Sequence, residues 1–389
     1  MDIIEIFKNL WLTSGFATMD YRQAIMIVIA GLLLFLGIAK KFEPLLLVGI
    51  AIGMLLTNLP NSNVYTPSLW AGSGKIDYVK VLNDGGLLDI MYIGVKTGLY
   101  PCLIFIGIGA MTDFGPLISA PRNLLLGAAA QLGIYIALFL AVALGFTGAQ
   151  AASIGIIGGA DGPTAIWLTK SLAPELLGPI AIAAYSYMAL IPLIQPPFMR
   201  LLTTKKERLI VMEQTREVTK KEKIIFPIMV IILTCLLLPS VAPLLGSLMF
   251  GNLMRESGVM ARLSDTAQNS LMNIVTIFLG LSVGATAQYA TFLQLKTIEI
   301  ILLGLLAFIG STCGGLLLGK LMCVITKGKI NPLIGAAGVS AVPMAARVVN
   351  SEGRRANPDN YLLMHAMGPN VAGVIGSAVA AGFLMAIFG

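Results

Sequence analysis

Charge is what this sequence has least of. Only 12% of its 389 residues are Asp, Glu, Lys or Arg, against about a quarter in soluble domains. With 57% hydrophobic residues, the chain could not cover its own surface with polar groups, which excludes a soluble globular fold. Histidine occurs once, as His365, so no His-based metal cluster can be built. The four cysteines, Cys102, Cys235, Cys313 and Cys323, form no CxxC pair and all sit in apolar stretches. Packing is their expected role, rather than a disulfide or a thiolate metal site. A cleavable secretory signal is also missing: 1–20 carries acids and has no basic start followed by an apolar block and a small-residue cleavage site. Instead Ile3, Ile4, Ile6, Phe7, Leu10 and Trp11 predict a short interfacial helix over 1–20.

What is present is a series of charge-free runs: 44–74, 123–160, 176–199, 224–254, 266–295 and 360–389. A span needs about 20 apolar residues, so these runs predict a multi-pass membrane protein of roughly ten segments, some incomplete. The net charge of +7 is no footprint of nucleic acid. Its largest concentration is 200–223, with Arg200, Lys205, Lys206, Arg208, Arg216, Lys220, Lys221 and Lys223. By the positive-inside rule that stretch is a cytoplasmic linker.

The linker separates two related halves, 21–199 and 224–389. Phe105-Ile106-Gly107-Ile108-Gly109-Ala110 resembles Phe278-Leu279-Gly280-Leu281-Ser282-Val283. Each string is followed by a polar turn and a long apolar helix, 123–146 and 300–319. Each helix leads to a Gly-rich stretch, 154–164 and 331–340, then to a last span with a Pro-polar break, at Pro192 to Pro197 and at Gly368-Pro369-Asn370. Interrupted backbone in hydrocarbon is tolerated only inside protein or along a water-filled cavity. Paired interruptions in two halves point to a transporter's midplane site. An odd number of spans per half would set the two Gly-rich loops on opposite faces. The expected fold is therefore an all-α polytopic membrane protein of two inverted repeats with re-entrant helices, with an elevator-like core moving against a scaffold.

Asp161 is the only acid between Asp113 and Glu175, and the one carboxylate expected deep in the membrane. Intramembrane acids usually mark an ion path or a proton relay. Asp-Gly-Pro-Thr is equally a helix start, with Asp161 as its cap, and the two roles can coexist. Asn331, Ser340 and Asn370 offer neutral oxygens in the second half, and Tyr187 a hydroxyl; singly, each has a bland reading in packing or anchoring. Arg347 is either an interfacial arginine or a bidentate partner for a carboxylate. Lys96 and Asp113 read as segment-end charges, Asp113 being a weaker second candidate.

At these residues the sequence resembles the β subunits of sodium-pumping biotin-dependent decarboxylases. The strings that carry the resemblance are Ile157-Gly158-Gly159-Ala160-Asp161-Gly162-Pro163-Thr164-Ala165-Ile166, Ala183-Ala184-Tyr185-Ser186-Tyr187-Met188, Lys329-Ile330-Asn331-Pro332-Leu333-Ile334-Gly335, the stretch from Gly338 to Arg347, and Met364-His365-Ala366-Met367-Gly368-Pro369-Asn370. The resemblance implies a translocase subunit in the bacterial cytoplasmic membrane. It would take carboxybiotin from a biotin carrier protein, decarboxylate it with consumption of a proton, and export Na⁺. It implies Asp161, Asn331, Gly335, Ser340 and Asn370 around Na⁺, Arg347 and Ser340 toward carboxybiotin, and Asp161, Tyr187 and Arg347 in the chemistry. The implied partners are a carboxyltransferase α subunit, the carrier, a small single-span membrane subunit and further copies of this chain in a trimer. No Met-Lys-Met biotin-attachment string and no carboxyltransferase-like metal motif occurs, so those functions fall to partners. The short stretch 57–86 leans toward the acyl-CoA members, methylmalonyl-CoA and glutaconyl-CoA decarboxylases. The alternatives are a Na⁺-coupled carboxylate carrier of elevator type and a purely structural anchor subunit.

Overall fold

The computed structural model describes residues 9–70, 76–159 and 161–389. These form helices and turns, with no strand among the described residues. Of the expected interfacial helix, 1–8 lies outside the described residues. Leu10, Trp11 and Phe16 are exposed, as a membrane-lying segment requires.

The first half comprises α1 (Tyr21–Ile38), α2 (Pro44–Asn58), α3 (Leu87–Lys96), α4 (Leu99–Met111), α5 (Asn123–Ala130), α6 (Leu132–Ala143), α7 (Gly148–Gly155), α8 (Gly162–Leu172) and α9 (Leu177–Leu202). The second comprises α10 (Lys220–Leu237), α11 (Ala242–Ser257), α12 (Ala261–Ala285), α13 (Leu295–Ile325), α14 (Met344–Ala356) and α15 (Leu363–Phe388). Tight 3₁₀ turns at Ile156–Gly159 and Pro332–Gly338 form the tips of two hairpins. The first hairpin is α7, its tip and α8; the second is its tip and α14.

Fewer helices span than the charge-free runs suggest. Five are long and apolar enough to cross a membrane, and seven if two bent pairs each count once. The difference has a physical cause: several apolar runs fold into short helices that meet inside the protein. The 65° bend between α3 and α4 falls at Gly98, whose φ of +82° only glycine adopts readily. The 63° bend within α9, between Met188 and Leu190, precedes Pro192, which has no N–H for the turn before it. The break expected at Gly368-Pro369-Asn370 does not occur: α15 runs unbroken for 26 residues with Pro369 inside it.

The halves exchange their packing. In the first half α2 lies on α12, and in the second its counterpart α11 lies on α4. Both crossings are backbone-close and rest on glycine. A Cβ on Gly53 would fall on the Leu281 carbonyl, and one on Gly251 on the Ile106 carbonyl. Small residues permit this approach where no hydrophobic force draws helices together in lipid. Each crossing ends in a buried asparagine. Asn58 donates to Ala287 O at 2.8 Å, and Asn252 to Thr112 O at 2.8 Å.

The hairpins enter from opposite ends. Helix α13 has 31 residues, a length of about 46 Å. At its start, Gln294, Lys296 and Thr297 share a cavity with Gln150 and Glu175 at the base of the first hairpin. Near its end, Lys320 donates to Leu202 O at 3.2 Å, where the basic linker begins. Asn331 and Asn360, flanking the second hairpin, both hydrogen-bond the linker carbonyls of Arg208 and Ile210. The second hairpin therefore enters from the end where the basic linker lies, and the first from the opposite end.

Candidate functional site

The two tips meet in the interior. Gly159 O accepts hydrogen bonds from Ser340 N at 3.0 Å and from Ser340 Oγ at 2.5 Å. Gly159 ends its 3₁₀ turn, and its carbonyl is satisfied across the junction by Ser340. Helix α15 braces both. Asn370 Nδ2 donates to Val339 O at 2.7 Å and to Ala341 O at 3.3 Å. Seven residues on, along the same face, Ser377 reaches the first tip.

Asp161 stands at that junction, 5% exposed. It caps α8, accepting from Thr164 N at 3.4 Å and Thr164 Oγ1 at 2.8 Å. Ser377 Oγ donates to Oδ2, the same oxygen that takes the Thr164 hydroxyl, at 3.0 Å. Cap and buried acid therefore coincide in one residue. The carboxylate is not the only buried one, contrary to the sequence expectation. Asp89 is fully buried, but it accepts from Thr66 N, Trp70 Nε1 and Gly86 N, the last two at 2.5 and 2.9 Å. Glu352 is held by Arg200 in a two-pronged pair at 2.6 and 2.8 Å. Among the described residues, Asp161 has neither a salt bridge nor a full shell of amide donors. A buried carboxylate facing only hydroxyls and one peptide N–H retains the capacity to take a cation.

The other expected residues divide. Ser340 and Asn370 lie at the tip junction, and Asn370 Oδ1 is buried without a partner among the described residues. Tyr187, on α9, donates its hydroxyl to Ile301 O of α13. Asn331 caps the second tip through Leu333 N at 3.0 Å, and its amide nitrogen holds the linker carbonyls of Arg208 and Ile210. Gly335 is a contact point: a Cβ there would fall on the Gly315 carbonyl of α13. Arg347 is exposed on α14 and lines a surface cavity of about 370 Å³ with Arg354 and Arg355, apart from the buried carboxylate. Asp113 pairs with Lys223 at 2.9 Å, and Lys96 ends α3; both are segment-end charges as expected. Thr164 and Ser377 are the residues the sequence did not single out. Thr164 is three residues after Asp161, the reach of a cap; Ser377 is seven after Asn370, two turns along one helix face.

Neutral oxygens and one carboxylate are the donor set of a hard monovalent cation, and peptide carbonyls freed at broken helices add to it. The fold and the site define an α-helical membrane protein in which two opposed re-entrant hairpins meet at a buried acid. The chain belongs to a family of decarboxylase membrane subunits: a family model described as Na+-transporting oxaloacetate decarboxylase beta subunit matches residues 22–388. It is 58% identical over 374 residues to the methylmalonyl-CoA decarboxylase subunit beta of Veillonella parvula, covering 96% of this chain and 95% of that one. It is 56% identical to the glutaconyl-CoA decarboxylase subunit beta of Acidaminococcus fermentans over 97% of this chain and 96% of that one. It is 54% identical to the oxaloacetate decarboxylase beta chain 2 of Salmonella typhi over 95% and 96%. The chain is thus the integral membrane subunit of a decarboxylase, in a family that transports Na⁺.

Proposed function

We propose that this chain binds Na⁺ at Asp161 and exports it with free energy from decarboxylating carboxybiotin, which a carrier protein presents at the cytoplasmic face. The observation that carries the reading is the buried carboxylate without a counter-cation where the two tips meet. The transported ion is cargo. Asp161, Ser377, Asn370 and the tip carbonyls fit it, because the Asn370 oxygen is buried with no donor of its own.

Arg347, on the exposed face of α14 among Arg354 and Arg355, suits the carbamate of carboxybiotin, since a guanidinium fork matches a carboxylate. In the reaction the carbamate C–N bond breaks, CO₂ leaves, and the ureido nitrogen keeps the electron pair and takes a proton. The consumed proton passes through the same site: its arrival at Asp161 neutralises the carboxylate and expels Na⁺. Alternating access follows from movement of the hairpins with α5, α6, α9, α13 and α15 against a scaffold of α1 to α4 and α10 to α12. In this reading 21–199 and 224–389 are inverted halves joined by 200–223, and the assembly is a trimer with a carboxyltransferase α subunit, a biotin carrier and a small single-span subunit.

An acyl-CoA is the favoured source of the carboxyl group. The alignment to the Salmonella oxaloacetate chain runs over 416 positions, more than this chain has residues. That to the Veillonella chain runs over 374. The stretch 57–86 is correspondingly short.

The test is reconstitution into vesicles. The complete complex is expected to move Na⁺ only when a carboxyl donor and the biotin carrier are supplied. A secondary carrier would move Na⁺ and a carboxylate with no donor present, and an anchor subunit would tolerate replacement of Asp161 without loss of turnover or transport.

A further inference from the structure

Helices α5 and α15 run side by side in the same direction. A Cβ on Gly368 would meet the Asn123 amide, one on Gly127 would meet Ala372, and one on Gly376 would lie 2.9 Å from Gln131 Nε2. Gln131 occupies the turn between α5 and α6, at the far end of this seam. It is 6% exposed. Its Nε2 donates to Gly127 O at 3.0 Å, which fixes the orientation of the amide: the reverse assignment would set two carbonyl oxygens against each other. Its Oε1 therefore points the other way, and there it has no partner among the described residues.

What Oε1 faces is the first tip. A Cβ built on Gly159 would stand 3.6 Å from Gln131 Oε1 and 3.1 Å from Ser377 Cβ. Ser377 is the residue that hydrogen-bonds Asp161. Gln131 and Ser377 thus flank Gly159, and Ser377 reaches on to Asp161. Leaving a buried acceptor unpaired costs about 1–3 kcal/mol, and a native orphan of this kind calls for an explanation. Among the described residues it has no hydrogen-bond partner, and Asp161 comes two residues after Gly159 in the chain; a cation held between them would satisfy both.

We propose that Gln131 supplies an amide oxygen to the cation held at Asp161, making it a ligand from the first half's long helix that completes the site. The inference rests on Asp161 being the cation ligand. The glycine at 376 then has a local role, since a Cβ there would stand 2.9 Å from Gln131 Nε2 and push the amide aside.

The experiment is the Na⁺ dependence of decarboxylation in the complete reconstituted complex, for wild type, Gln131→Met, Gln131→Asn and Asp161→Asn. Methionine keeps the volume and removes the oxygen. The Na⁺ concentration for half-maximal rate is expected to rise about ten-fold or more in Gln131→Met, with the maximal rate at saturating Na⁺ within about two-fold of wild type. Gln131→Asn retains an oxygen and should fall between. A purely structural role would lower the maximal rate and leave the half-maximal concentration in place. An unchanged half-maximal concentration in Gln131→Met overturns the proposal, provided Asp161→Asn has lost its Na⁺ dependence in the same assay. If Gln131→Met does not assemble, the same comparison is made with Gln131→Asn, where no shift overturns it. If Asp161→Asn itself keeps the wild-type Na⁺ response, the underlying reading of Asp161 fails instead.

Discussion

Ser377 Oγ donates to Asp161 Oδ2 at 3.0 Å, joining residues 216 positions apart. This bond ties the last helix of the second half to the first half's hairpin tip, so the site exists only when the two halves are folded together. Removing a donor to a charged, buried acceptor costs about 1.5–3 kcal/mol. Ser377→Ala is expected to weaken the apparent Na⁺ affinity by about ten-fold or more while leaving the fold intact. Na⁺ titration of decarboxylation checks this; unchanged affinity would show that the hydroxyl serves only packing.

Gly335 and Gly246 form a matched pair for stability. A Cβ on Gly335 would fall on the Gly315 carbonyl, whereas one on Gly246 meets nothing within 4 Å. Overpacking costs about 1–3 kcal/mol. In an α-helix interior such as that of α11, Gly→Ala gains about 1 kcal/mol. Gly335→Ala should lower the thermal unfolding midpoint in detergent, and Gly246→Ala should hold or raise it. Equal midpoints would contradict the close approach of the second tip to α13.

Much of this site was legible from sequence, and the reasons for the remainder are specific. Asp161 stood out because a carboxylate among apolar residues is costly to bury, and the fold does bury it. The hairpins showed themselves because Gly-rich stretches recurred in matching places. Asp89 was not recognised as buried, because its shelter comes from Trp70 and Thr66, which only the folded loop brings to it. Asn331 read as a ligand because asparagine oxygen suits a cation, yet its partners are linker carbonyls more than 120 positions away. Pro369 read as a break, but α15 passes through it unbent enough to carry Asn370 and Ser377 on one face. In each case side-chain type was visible and the partner was not.

The Arg200–Glu352 pair sets a pH dependence at the linker end. The Arg200 guanidinium holds the Glu352 carboxyl below the usual range. A depressed carboxylate contributes stability that is present above its ordinary pKa of about 4.3 and lost as pH falls through the lower folded value. Arg200 is 43% exposed in its side chain, so screening keeps the contribution under about 1 kcal/mol. The unfolding midpoint of wild type should exceed that of Glu352→Gln by a degree or two near pH 7, and the gap should close on acidification below about pH 4. A gap that widens with acid would contradict the pairing.

Arg347 and Asp161 should fail in different ways. Arg347→Ala is expected to raise the carboxybiotin concentration needed for half-maximal rate by about ten-fold or more, because a charged hydrogen bond is lost, with the Na⁺ response retained. Steady-state kinetics with free carboxybiotin checks this. A raised Na⁺ requirement with unaltered carboxybiotin dependence would place Arg347 in the ion path instead.

The most direct test is Asp161→Asn in the reconstituted complex, with carboxybiotin consumption and radioactive Na⁺ uptake followed together. The substitution keeps the shape and the hydrogen-bonding reach and removes only the charge. The account predicts loss of Na⁺-stimulated decarboxylation and of Na⁺ uptake at once, in a protein that still assembles. Wild-type Na⁺ uptake driven by carboxybiotin in that variant would contradict it.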